Sequence, residues 1–329
     1  MKTQREVGIL GTGSYVPERV LSNADLEKMV DTSDEWIFTR TGMRERRIAA
    51  PDEATSDLCI AAARRALEDA KVAPEDVDLV IIATVTPDHC VPSTSCLVQR
   101  ALGLTKAAAF DLNAACSGFV TALYVGRGLV ANGQGDRVLV VGAECMSRIV
   151  DYQDRTSCIL FGDAAGAAVL GPFAGQGKIL DGEIGADGTG ADTMIVPASG
   201  SRNQASVAGV QARDHLLKMR GNEVFKFAVQ KFRDLVRAQL ERTGFQPADL
   251  ALVIPHQVNI RIIDAALKKL DINDDRIYIN LDRYGNTSAG SVPLAFDEAR
   301  RLGRIQSGDL VSLLAFGAGL TWASALIRW

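Results

Sequence analysis

The stretch AAAFDLNAACSGFVTAL, residues 107–123, decides how the chain is read. It opens as a short apolar run, the pattern of a buried strand. It turns at Asp111-Leu112-Asn113 and continues into a segment, 117–130, whose one charged residue is Arg127. A helix that is apolar on nearly every face belongs in the interior. Cys116 stands where that helix should begin. Unpartnered backbone N–H groups and the positive end of the helix dipole favour a thiolate there. Cys116 is therefore a candidate nucleophile. A small buried core cysteine fits the same stretch equally well.

Outward from this stretch, strands alternate with helices. A first strand is expected over 7–11, and GTGSYVP at 11–17 reads as a tight turn after it. That turn begins like a dinucleotide fingerprint but lacks the third glycine, and Pro17 falls where a helix should run. Residues 31–47, DTSDEWIFTRTGMRERR, set Arg40, Arg44, Arg46 and Arg47 near Trp36. Either the stretch is a solvated loop, or its arginines pair with phosphate while Trp36 stacks on a base. A helix is expected over 55–71, a buried strand over 79–84, a helix to Leu102 capped by Ser93 or Thr94, and a strand over 137–143.

The second half of the chain repeats the first. PEDVDLVI at 74–81 resembles PADLALVI at 247–254, and GDRV at 135–138 resembles GDLV at 308–311. Each pair differs by 173 in residue number, as do Asn113 and Asn286. A shared offset ahead of two strands points to internal duplication. The expected fold is α/β, with helices on both faces of mostly parallel sheets and two pseudo-symmetric halves. The halves are set at 1–175, with the nucleophile, and 176–329. The small-residue region 182–209 is a long connection between them, of the kind that covers sites.

Composition narrows the function classes. A chain of 329 residues with 47% hydrophobic residues can bury a large core. A net charge of −4 gives no basic field for nucleic acid. No apolar run approaches membrane-spanning length, and the polar start MKTQREVGILGTG is neither a signal peptide nor an anchor. A soluble cytoplasmic protein is expected, with six reduced cysteines. There is no C-x-x-C, and His89, His215 and His256 are the only histidines, so no zinc site is expected.

His256 is the informative histidine. It follows the apolar run 250–255, at the carboxyl end of a strand, where α/β sheets place ligands. His89 reads as a loop residue and His215 as a surface one. Asn286 lies in YGNTSAGS at 284–291, a glycine-bounded turn into a helix, where it is also a plausible cap. FGAGLT at 316–321 follows another apolar run, and its glycines let backbone N–H groups approach a reacting atom. Cys, His and Asn at strand ends, with a glycine loop, suggest thioester chemistry. The thiolate attacks an acyl carbonyl, neutral His256 and Asn286 donate to an enolate oxygen, and the N–H groups of Cys116 and Gly319 hold the oxyanion. A papain-like protease shares the three residue types but not the surrounding motifs.

The whole chain resembles the β-ketoacyl-acyl carrier protein synthase III family of thiolase fold. The likeness is carried by TSDEWI within 32–47, DLNAACSGF at 111–119, FGDAAGA at 161–167, NEVFKFAV at 222–229, PHQVNIRI at 255–262, YGNTSAGS at 284–291 and GAGLTW at 317–322. The resemblance implies a layered αβαβα core and Cys116 as the acylated nucleophile. It implies malonyl decarboxylation at His256 and Asn286, and an oxyanion hole from Cys116 and Gly319. Trp36 and Arg155 would sandwich the coenzyme A adenine, with Thr32, Arg40 and Asn259 along the pantetheine path. Acyl-CoA and malonyl-acyl carrier protein would give 3-oxoacyl-acyl carrier protein, carbon dioxide and coenzyme A. No metal or organic cofactor is implied, since the coenzyme A thioester is a substrate. A homodimer follows only from the resemblance.

Near relatives fit less well. A thiolase needs a second cysteine in 317–320, and elongating synthases need a histidine where Asn286 stands. Hydroxymethylglutaryl-CoA synthase needs a glutamate within 83–88, and there is none. Lys226, Arg261, Lys268 and Lys269 are either a solvated face or a basic patch for an acidic carrier protein. Val258 and Ala318 replace a common Ala and Gly. Val91 stands where a Phe often closes the primer pocket from the partner subunit, so primers longer than acetyl are expected. Two other readings are a related condensing enzyme of secondary metabolism or cofactor synthesis, and an acyl-thioester binding or transfer protein that does not condense.

Overall fold

Nine strands carry the fold of the computed structural model, which describes residues 4–329. Residues 1–3, the start of the polar lead, lie outside the described residues. The strands are β1 (Val7–Tyr15), β2 (Leu79–Ala83), β3 (Ala108–Leu112), β4 (Val138–Cys145), β5 (Asp163–Pro172), β6 (Lys178–Ala186), β7 (Leu250–Pro255), β8 (Leu310–Gly317) and β9 (Thr321–Arg328). They hydrogen-bond in the order β7-β8-β9-β6-β1-β5-β4-β2-β3. The principal helices are α1 (Asp34–Thr41), α2 (Thr55–Ala70), α3 (Thr94–Leu102), α4 (Gly118–Ala131), α5 (Gly221–Thr243), α6 (Ile260–Leu267) and α7 (Ser291–Arg301).

The sheet is two half-sheets that meet between β1 and β6 at a single residue pair, Gly8 with Lys178. The interior helices α4 and α7 lie between them. Phe119, Val120 and Leu123 of α4 and Val292, Ala295 and Phe296 of α7 share one core with Ile81 and Val140 of one half-sheet and Ile254 and Leu313 of the other. Side chains alternate across a strand. Val80 and Ile82 accordingly face the opposite way from Ile81 and pack with Leu58, Ala62 and Ala66 of α2. Val253 and Leu314 likewise face Phe232, Leu235 and Ile263 of α5 and α6. The result is five layers, α–β–α–β–α.

The repeat appears in the backbone. The 3₁₀ turns Pro74–Asp76 and Pro247–Asp249 are offset by 173, and so are Ala115–Ser117 and Ser288–Gly290. Ala115 and Ser288, equivalent at that offset, both take left-handed backbone, φ 47° and 48°. Side chains other than glycine rarely do so, so each half makes the same sharp turn into its interior helix.

Several expectations are corrected. The pairs β2–β3, β2–β4 and β7–β8 are parallel, but β1–β5, β4–β5, β8–β9 and β6–β9 are antiparallel. The sheets are therefore mixed rather than mostly parallel. The apolar run at 107 forms β3, an edge strand, and Phe110 is 38% exposed. GTGSY is strand, not turn: β1 runs through Tyr15. Its glycines answer to α2, because a Cβ on Gly11 would lie 2.3 Å from Ala70 N and one on Gly13 2.4 Å from Ala66 N. The polar stretch 31–47 holds α1 and the short strand Glu45–Ile48. Ser93 is the N-cap of α3 by position, but the Asp111 carboxylate accepts from Thr94 N and Ser95 N at 2.7 and 2.8 Å. The helix that begins at Ile260 ends at Leu267. Among the described residues no helix is long and apolar enough to cross a membrane.

Candidate active site

β3 delivers the chain to Asn113, whose side-chain oxygen accepts from Ala115 N at 3.3 Å. The left-handed Ala115 then turns the backbone so that Cys116 precedes α4, within the turn Ala115–Ser117. Gly118 opens the helix against β2, where an added Cβ would lie 3.0 Å from Ala83 Cβ. Cys116 is 6% exposed. Burial pushes its thiol up to about 12, and the Glu144 charge adds to the rise while a hydrogen bond with Ser288 opposes it. The helix terminus does not by itself make Cys116 a thiolate, because desolvation disfavours the charged sulfur.

The second half answers with the same turn. Asn286 N donates to Leu160 O at 2.8 Å, and Gly162 N donates to Asn286 O at 3.0 Å. Gly162 has no room for a side chain, since its Cβ would meet Tyr284 O at 2.4 Å. The FGDAAGA motif therefore clamps the Asn286 turn. The Asn286 side-chain oxygen accepts from Ser288 N at 2.8 Å, as Asn113 does for Ala115.

β7 ends at Pro255, and His256 N donates to Leu314 O at 2.7 Å on the neighbouring strand β8. His256 Nδ1 lies 2.7 Å from the Ser291 hydroxyl, which fixes the ring. Phe316 stands edge-on to it, ring centroids 5.7 Å apart. Complete burial lowers the imidazole to about 3, so His256 is neutral.

These turns converge. Cys116, His256 and Asn286 line one small cavity, with Val258, Phe316 and Ala318. Gly317 forms its floor: a Cβ there would lie 2.6 Å from Cys116 N. A second, largely apolar cavity of about 350 Å³ also reaches Cys116, between Val85, Met146, Phe161, Met194 and Leu217. Gly319, at φ 131°, lies on its wall. Met194 and Val196 lie over this cavity, but residues 182–186 of the expected connection are the end of β6, so the segment that covers it begins after Ala186.

Three of the residues expected at a nucleotide mouth also meet. Trp36 on α1 has the guanidinium of Arg40 4.4 Å and that of Arg155 5.0 Å from its ring centroid. Arg155 donates to Asp31 O at 2.8 Å. Thr32 Oγ1 is buried and has no hydrogen-bond partner among the described residues. Asn259 caps α6, accepting from Arg261 N at 2.9 Å. Arg46 does not belong with this group. It is fully buried and donates to Asn23 Oδ1 at 2.8 Å and Ile159 O at 2.5 Å, which excludes it from any phosphate contact.

Val91 is 84% exposed and lines neither cavity at Cys116 within its own chain. Lys226 on α5 and Arg261 on α6 are exposed, on two helices that pack together, and so are Lys268 and Lys269, which follow the end of α6. His89 is exposed, whereas His215 is half-buried with Nδ1 unpartnered among the described residues, not a surface residue. Among the described residues no group of three His, Cys, Asp or Glu is placed to hold a metal.

Three residues at the site escaped the sequence reading: Ser288, Ser291 and Glu144. Glu144 left the clearest signal, a single acid inside the apolar strand VLVVGAEC. Ser288 is the offset partner of Ala115 and could be found from the duplication.

Comparison with known proteins agrees with this geometry. Residues 110–188 match the family described as 3-oxoacyl-[acyl-carrier-protein (ACP)] synthase III, and 240–329 match its C-terminal part. The β-ketoacyl-[acyl-carrier-protein] synthase III of Caldanaerobacter subterraneus is 55% identical, over 98% of this chain and 97% of its own. That of Desulfitobacterium hafniense is 50% identical, over 98% of each. The crystal structure of the Aquifex aeolicus 3-oxoacyl-[acyl-carrier-protein] synthase III superposes with a TM-score of 0.90 at 44% identity, over 98% of this chain and 100% of that one. The chain belongs to the 3-oxoacyl-[acyl-carrier-protein] synthase III family, the thiolase-fold enzymes that make the first condensation of fatty acid synthesis.

Proposed function

We propose that this chain condenses an acyl-CoA primer with malonyl-acyl carrier protein, giving 3-oxoacyl-acyl carrier protein, carbon dioxide and coenzyme A. The observation that carries the reading is the convergence of Cys116, His256 and Asn286 on one cavity wall. In the first half-reaction the Cys116 sulfur attacks the primer carbonyl, and coenzyme A leaves. The backbone N–H groups of Cys116 and Gly319 receive the oxyanion, each such donor typically worth about 3 kcal/mol in the transition state. In the second, malonyl-thioester loses carbon dioxide. With Ser291 donating to Nδ1, neutral His256 presents Nε2–H to the developing enolate oxygen, and Asn286 presents its amide. The resulting carbanion equivalent attacks the acyl-Cys116 thioester. No step calls for a metal or organic cofactor.

The same reading assigns Trp36, Arg40 and Arg155 to the coenzyme A purine and phosphates, and Thr32 and Asn259 to the pantetheine path. Lys226, Arg261, Lys268 and Lys269 form the carrier-protein face. The chain works as a cytoplasmic homodimer. The open edge of β3, with Phe110 exposed and Val91 in a nearby exposed loop, supports pairing through that side. Residues 1–175 and 176–329 act as two halves, each supplying one turn.

Intact-mass measurement after exposure to acyl-CoA thioesters from acetyl to decanoyl tests the reading. Wild type gains one acyl adduct and Cys116→Ser gains none, while malonyl-thioester releases carbon dioxide in a His256-dependent way. Failure of both signals in the wild type would overturn the assignment.

A further inference from the structure

Ser291 and Glu298 both lie on α7, two turns apart, so their side chains leave one face of the helix about 10 Å from each other. Ser291 holds His256 Nδ1. Glu298 grips the segment 278–284. Its Oε1 accepts from Tyr278 Oη at 2.7 Å, Arg283 Nη2 at 2.6 Å and Asn280 Nδ2 at 3.3 Å. Its Oε2 accepts from Tyr284 Oη at 2.9 Å and Arg283 Nη1 at 3.0 Å. The carboxylate is only 14% exposed. It lines neither cavity at Cys116.

The gripped segment frames both groups assigned to the malonyl half-reaction. At one end it holds the buried side chain of Gln257, next to His256. Asn280 N donates to Gln257 Oε1 at 3.0 Å, and Gln257 Nε2 donates to Tyr278 O at 3.0 Å and to Pro255 O at 2.9 Å. The backbone on both sides of His256 is therefore pinned to residues 278 and 280. At the other end Tyr284 leads through Gly285 to Asn286. Gly285 N donates to Leu281 O at 2.9 Å, and its left-handed φ of 65° sets the chain into the Asn286 turn. One carboxylate thus stands between the two ends.

An acid is required at this position, because the segment offers it donors. The guanidinium of Arg283 and the amide nitrogen of Asn280 cannot turn round to accept. A two-pronged Arg–carboxylate pair also fixes orientation better than a neutral hydrogen bond does. We propose, resting on the condensing reading above, that Glu298 is a positioning residue for malonyl decarboxylation. By holding 278–284 against α7 it sets the spacing between the His256 imidazole and the Asn286 amide, which must meet the same enolate oxygen. Acylation of Cys116 uses neither group and does not depend on Glu298.

The test compares steady-state carbon dioxide release from malonyl-CoA with the rate of Cys116 acylation, followed by intact mass with the best primer of the acetyl-to-decanoyl series. In Glu298→Gln an amide N–H faces these donors. There kcat for carbon dioxide release falls at least about tenfold, part of the roughly 100-fold that a 1 Å displacement costs, while KM for malonyl-CoA and the acylation rate each change less than about threefold. A loss carried by KM overturns the proposal. So does a ratio of the two rates that changes less than this, whether both hold or both fall together, as they would if the carboxylate merely stabilised the fold. If Glu298→Gln does not fold, the double variant Tyr278→Phe with Tyr284→Phe removes two of the donors and leaves the Arg283 pair, and the same decarboxylation-specific loss is required of it. A wild type inactive in either assay would refute the condensing reading itself; a wild type active in both, with an unchanged variant ratio, refutes the role of Glu298 alone.

Discussion

Replacing Gly317 with alanine would test the geometry of the proposed nucleophile directly. Gly317 ends β8 and pairs with Thr321 of β9, in ordinary extended backbone. Alanine is therefore allowed by conformation and excluded only by contact. Its Cβ would lie 2.6 Å from Cys116 N, 3.1 Å from Cys116 Cβ and 3.2 Å from Cys116 Cα. An ordinary contact begins near 3.4 Å, so the strand and the nucleophile turn must part by about 0.8 Å. The Cys116 turn has little room to yield, since Gly118 just after it is already close to Ala83. A displacement of about 1 Å at a reacting group costs roughly 10²-fold in rate, or about 2.7 kcal/mol. Gly317→Ala should slow Cys116 acylation by about that factor, with a stability loss of about 1–3 kcal/mol from overpacking. The assay is the single-turnover adduct rate by intact mass, alongside thermal unfolding. Gly128→Ala in α4 is the control, because nothing lies within 4 Å of its Cβ. A Gly317→Ala protein acylated at the wild-type rate would refute the claim that this contact sets the position of Cys116.

Three further outcomes follow from other parts of the structure. The folded value of His256, about 3, lies below its unfolded 6.5. Between those values the unfolded chain binds more protons, so stability falls as the pH drops from 6.5 towards 3, by roughly 5 kcal/mol in full. Denaturant unfolding from pH 7 to 4 should show this loss reduced in His256→Gln, and identical pH slopes would count against a buried neutral imidazole. Arg46→Ala strands the acceptors Asn23 Oδ1 and Ile159 O. It should cost roughly 3 kcal/mol and lower Tm by about 4 °C, as measured by calorimetry, because buried unpaired polar groups are expensive. Val91→Phe should shorten the longest acyl-CoA that acylates Cys116 if this loop closes the pocket of a partner subunit, and an unchanged chain-length limit in the mass assay would remove Val91 from the pocket.

Local pattern and repetition made much of the architecture legible. The offset of 173 between PEDVDLVI and PADLALVI is reproduced by paired 3₁₀ turns and by the matched left-handed Ala115 and Ser288. The apolar residues of 118–131 were enough to place α4 in the interior. Cys116, His256 and Asn286 could be found because each lies at a strand end or in a glycine-bounded turn, features written in neighbouring residues. What failed were inferences about partners distant in sequence. GTGSY looks like a turn because its glycines suit one, but they are there to admit the backbone of α2. The run at 107 looks buried because it is apolar, yet only the order of strands makes it an edge. Arg46 looks like its exposed neighbours Arg40 and Arg44, and only Asn23 and Ile159, brought from either side, bury it.

The sequence by itself determined the alternation of elements, the two-fold repeat and the candidate reacting groups, because these depend on near neighbours and on periodicity. The tertiary structure alone decided the mixed sheet, the closeness of Gly317 to the nucleophile and the arrival of Glu144 beside Thr84 and Ser288. Those are distances between segments far apart in the chain, and they are fixed only when the half-sheets close on α4 and α7 and exclude water from between them.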